Sequence, residues 1–145
     1  MRKANYDKFP STKLTGMLVQ GWDSIISMLK EKMDARKVLA VDLYTGVYEE
    51  EVLDAFSKEF SGRVMNVRDL MKPEKEIQTL TERFMTEDVL FGYVTNLKLE
   101  DYLDADKVAA ARKQISEAKE TIVIIGTGAA VVAPQDAMVV YADMA

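Results

Sequence analysis

The stretch Thr121-Ile122-Val123-Ile124-Ile125, ended by Gly126-Thr127-Gly128, decides the fold. Every side chain in it is β-branched. Such residues lose χ1 freedom in a helix and pack well on a pleated surface, so the run is a strand. It shows no alternation of apolar and polar residues, so both faces are covered, as in a parallel sheet sandwiched by helices. Residues 37–43 (KVLAVDL) repeat the signature, broken only by Asp42. Residues 63–67 (RVMNV) and 138–141 (MVVY) are read as two further strands.

Between these runs the period changes to that of a helix. Trp22, Ile25, Ile26, Leu29 and Met33 share one stripe, with Asp23 or Ser24 able to accept from the first-turn N–H groups. Val52, Phe56 and Phe60 make a second stripe in a helix starting near Tyr48. Ile77, Leu80 and Phe84 make a third behind Pro73, and Val108, Ala111 and Ile115 a fourth capped by Asp104. Residues 86–102 are irregular and hold at most a short strand or hairpin; residues 129–132 are ambiguous. Strands alternating with helices predict an α/β fold: an open, mostly parallel sheet of four to five strands flanked by helices. Residues 1–21 form an N-terminal arm and residues 22–145 a single domain, which ends abruptly within a few residues of a core strand, as an N-terminal fragment of a longer chain would.

Composition narrows the chemistry. The 145 residues include no Cys and no His. That removes disulfides, thiolate nucleophiles and thiolate metal sites, and with imidazole the usual general base and commonest transition-metal ligand. Carboxylate, lysine, tyrosine or hydroxyl chemistry is left, or binding alone. With 19 basic against 24 acidic residues the net charge is −5, which disfavours the phosphate backbone of nucleic acids. No apolar run reaches signal-peptide or membrane-span length, so no membrane partner and a cytoplasmic location are expected.

In an open α/β sheet the ligand crevice lies beyond the carboxyl ends of the strands, which singles out two loops. The first, Asp42, Tyr44, Thr45 and Gly46, stands where a phosphate-binding loop would. Val41 and Val47 occupy the positions where that motif requires Gly and Lys, and Glu49, Glu50 and Glu51 place carboxylates at the helix start. The second, Gly126, Thr127 and Gly128, opens like a dinucleotide fingerprint, but its third glycine is replaced by Val131. The plain reading of both is a strand–helix turn; the functional one is backbone contact with a phosphate. Asp42 and Asp143 each either accept loop N–H groups or share a metal or ligand role. Leu90-Phe91-Gly92-Tyr93 is a docking patch or a loop folded onto the core. The methionines are read as core filler.

Residues 37–47 (KVLAVDLYTGV), Leu90-Phe91-Gly92 with residues 97–101 (LKLED), residues 126–130 (GTGAA) and residues 140–145 (VYADMA) resemble the N-terminal domain of the long mannose-6-phosphate isomerase-like proteins of Bacteroides-type bacteria. The strand–loop–helix order also resembles a degenerate P-loop-type three-layer domain. The resemblance implies a cupin-type part, covalently linked or docked, that interconverts mannose 6-phosphate and fructose 6-phosphate on a zinc ion held by His, Glu and Gln. With no His here, no catalytic and no metal residue is assigned, and the zinc belongs to that other part. The expected function is that of a non-catalytic accessory domain, with a homo-oligomer as a further possible assembly. The alternative is a stand-alone domain binding a sugar phosphate or nucleotide. An enzyme relying on Asp42, Tyr44 or Asp143 is the third option.

Overall fold

The computed structural model describes residues 11, 13, 15–33, 35–88 and 90–143. Helix α1 (Trp22–Met33) precedes strand β1 (Val38–Leu43), followed by α2 (Glu49–Glu59), β2 (Arg63–Asn66) and α3 (Glu74–Glu82). Then come α4 (Ala105–Glu117), β3 (Ile122–Gly126), a single helical turn α5 (Ala129–Val132) and β4 (Met138–Ala142). Single 3-10 turns occupy Val67–Leu70 and Leu99–Tyr102. The sheet is parallel throughout, in the order β2-β3-β1-β4, so the α/β expectation holds with four strands.

The two apolar runs lie side by side at its centre, Val38 against Ile122 and Val41 against Ile125. Alternate residues of each face opposite layers, which explains why neither run alternates. Leu39, Val41, Leu43, Val123 and Ile125 pack under α1 and α2 with Ile26, Val52 and Phe56. Val38, Ala40, Ile122 and Ile124 pack under α4 and α5 with Val108, Ala111, Ile115 and Val132. Phe56 links the first layer, edge-on to Trp22 at 6.4 Å between centroids and stacked on Phe60 at 5.7 Å. Asp104 caps α4, its carboxylate accepting from the N–H groups of Asp106 and Lys107.

Three expectations need correction. β2 stops at Asn66 because the Asn66 side chain accepts from the Arg68 N–H and turns the chain into the 3-10 segment, so Val67 is not strand. α3 ends at Glu82, leaving Phe84 outside it, and buries no residue. Among the described residues of 86–102 the regular element is a 3-10 turn, within the expectation of an irregular excursion. Finally, β4 is an edge strand rather than a core strand: Val139 and Tyr141 are exposed because the one-turn α5 is too short to cover that face. Of the arm, residues 1–10, 12 and 14 lie outside the described residues; the rest carries no helix or strand. Among the described residues no helix is long and apolar enough to cross a membrane.

Candidate functional site

After β1 the chain rises into α2 on one face of the sheet; after the neighbouring β3 it turns into α5 on the other. The two connections diverge and leave a crevice at the carboxyl ends, the position where open α/β sheets hold ligands. Every candidate residue from the two loops is found around it, with Asp143 directly after β4.

The second loop is closed from within. Asp42 Oδ1 accepts from the Gly128 N–H at 3.0 Å and Oδ2 from the Ala130 N–H at 2.9 Å. The Thr127 hydroxyl donates to the Leu43 carbonyl at 2.9 Å. The amides that would cradle a phosphate therefore already hold a carboxylate, and the side chain nearest them is tied to β1. Gly126 has φ +135°, and a Cβ there would meet the Val67 Cβ at 2.9 Å. The loop's glycine thus answers to close packing against the 3-10 turn as well as to backbone conformation.

The first loop bounds a pocket of about 360 Å³ together with Arg68 and Thr127. Gly46 has φ +105° and Val47 N–H returns to the Tyr44 carbonyl at 3.2 Å, forming a tight turn. Glu49, first residue of α2, receives Arg68 Nη2 on Oε2 at 3.1 Å, while its Oε1 is buried with no hydrogen-bond partner. Glu51 accepts from the indole N–H of Trp22 at 2.9 Å. The positive end of the helix dipole is thus faced by the chain's own acids, an arrangement that repels an added phosphate. Tyr44 and Tyr48 stand exposed beside the pocket, and Thr45 and Gly46 line it.

Tyr141 lies near this group from β4. Partial desolvation, then the carboxylate of Asp143, with Tyr44 and Asp42 adding, hold its hydroxyl above the usual tyrosine range. Among the described residues no three acids converge to hold a metal ion, and with His absent the chain does not fit a His, Glu and Gln zinc site.

The crevice residue that the pattern of the sequence did not reveal is Arg68. Its arrival depends on the turn Asn66 imposes, and the only local signal is an Asn two positions before an Arg at a strand end. A second feature is an outward loop. The Tyr93 N–H donates to the Phe84 carbonyl at 2.8 Å, closing the loop's ends. Inside, Asp88 Oδ1 accepts from Leu90 and Phe91 N–H groups at 2.8 and 3.1 Å, and the Thr86 hydroxyl donates to the Phe91 carbonyl. On that frame Met85, Leu90, Phe91, Tyr93 and Val94 are all at least 70% exposed, so the loop is not folded back onto the core.

Comparison with curated proteins and with solved structures finds no match. A family model, described as a domain of unknown function (DUF8485), does match, over residues 21–145, and on that span the chain belongs to the DUF8485 family.

Proposed function

We propose that this chain is a non-catalytic accessory domain that works by docking to a protein partner, and that the partner is a sugar-phosphate isomerase part of the kind the mannose-6-phosphate isomerase resemblance implies. The observation that carries this reading is the loop of residues 84–93. A short segment satisfies its own backbone with Thr86 and Asp88 and turns large apolar side chains into solvent. Exposing such a patch is unfavourable unless something covers it, and patches of this kind mark interaction sites. The crevice points the same way, since carboxylates of the chain itself occupy both places where a phosphate would be bound. A cytoplasmic location belongs to this reading, as a place where hexose phosphates are handled.

The test is a titration of the purified chain against a separately expressed cupin-type mannose-6-phosphate isomerase part from a Bacteroides-type protein, read by calorimetry. The unaltered chain binds; Leu90→Asp/Phe91→Asp abolishes binding while circular dichroism stays the same. Absence of binding by the unaltered chain, or isomerisation of mannose 6-phosphate by the chain alone, overturns the proposal. The pocket of about 360 Å³ at the divergence of the two connections favours a second reading, a sugar phosphate or nucleotide held in the crevice. Thermal-shift measurements with a panel of both classes decide it, a flat response removing it.

A further inference from the structure

A cavity larger than the crevice pocket lies at the opposite end of the sheet. It measures about 830 Å³ and opens at the amino ends of β1 and β4. Its origin is the same short α5 that leaves β4 uncovered. A full helix between β3 and β4 would lie across this face; one turn leaves a notch between α4 and the sheet. Its walls belong to the protein's own core: Val38 and Ile115 are 8% exposed and Val132 is 0% exposed, with Ala118, Ala133 and Ala137 beside them. Clefts for small molecules run to roughly 300–1,000 Å³, mostly apolar with a few polar groups that fix orientation.

The rim has one dominant sign. Arg36, Lys37 and Arg112 border the cavity against Asp136, in a chain whose net charge is −5. Helix carbonyls also end here and draw cations for their own sake. Arg112 answers those, donating through Nη2 to Val131 O at 2.7 Å and through Nε to Val132 O at 3.4 Å. That demand does not account for Arg36 and Lys37, whose side chains make no hydrogen bond or ion pair with the described residues.

We propose that this notch is a binding site for an amphipathic small anion, its apolar body against Val38, Ile115, Ala118 and Val132 and its carboxylate or phosphate head at Arg36 and Lys37. The site is independent of the docking loop. Three six-carbon probes share one tail and differ in the head: hexanoate, hexyl phosphate and neutral 1-hexanol. Followed by amide chemical shifts of the isotope-labelled chain, at least one anion perturbs Val38, Ala118, Val132 and Ala137 saturably. It binds about fivefold or more tightly than 1-hexanol, a difference of the size expected for partly exposed charge pairs. The tighter anion identifies the head group. The double variant Arg36→Ala/Lys37→Ala, which alters only exposed side chains, removes the advantage over 1-hexanol. Ala118→Trp fills the notch and removes binding of all three. Equal affinity for 1-hexanol and both anions, an unchanged advantage in the double variant, or shifts confined to residues 85–94 overturns the proposal.

Discussion

Asp42 and Asp88 perform the same chemical task in two very different regions. Each carboxylate accepts from two backbone N–H groups, Asp42 from Gly128 and Ala130, Asp88 from Leu90 and Phe91. Asp88 works on residues two and three positions away, so its loop is held from within. Asp42 reaches across 86 and 88 positions and joins the exits of the two central strands. The same interaction is therefore local scaffolding in one region and a tertiary fastening in the other. A self-sufficient loop is free to face its apolar residues outward; a fastened crevice gives up its amides to hold the sheet's end together.

The contrast is sharpest where apolar side chains are cut back. Ile124→Ala, at a position with 0% exposure in β3, is expected to cost about 3 kcal/mol, whereas Phe91→Ala in the exposed loop costs less than about 0.5 kcal/mol. Urea unfolding of the two variants checks this, and equal losses would mean that the loop packs on the core after all. Asp42→Ala comes next. It leaves two amides without their charged acceptor and is expected to lower global stability by about 2 kcal/mol, with faster hydrogen exchange at Gly128 and Ala130. Asp88→Ala removes the same number of bonds, but from solvent-facing backbone, so about 0.5 kcal/mol is lost and exchange quickens at Leu90 and Phe91 alone. A global loss from Asp88→Ala as large as that from Asp42→Ala would erase the distinction.

The smallest effect concerns Tyr141, whose hydroxyl is held above the usual range by partial desolvation and then Asp143. A raised folded-state value means that the contribution to stability is complete below the unfolded value of about 10 and is lost as pH rises through the folded one. Tyrosinate absorbance followed against pH in the unaltered chain and in Tyr141→Phe isolates this group, and Asp143→Asn moves its midpoint down.

What could be read from the chain follows the same division between near and far. The β-branched run at Thr121 to Ile125, the stripe of α4 and its Asp104 cap are encoded within a few residues, and each folds as expected. The loops of the crevice were locatable because the alternation of strands and helices fixes which ends matter. The partner of Asp42 was not, because nothing near Asp42 marks Gly128 or Ala130. Nor does MVVY disclose that Val139 and Tyr141 face solvent: an apolar run states what a strand tolerates, while the length of α5 decides what covers it. Arg68 stayed hidden for a related reason, since a turn set by Asn66 aims it.

The strand order has a consequence for how the chain is made. β1 is hydrogen-bonded to β3 and β4, both synthesised well after it, and to neither of the elements that follow it directly. A ribosome adding about 5–20 residues per second would leave Val38–Leu43 waiting for some seconds before Ile122–Gly126 emerges beside it. Until then the most apolar strand of the nascent polypeptide has only α1 and α2 for shelter, which makes this interval the one in which a chaperone has most to protect.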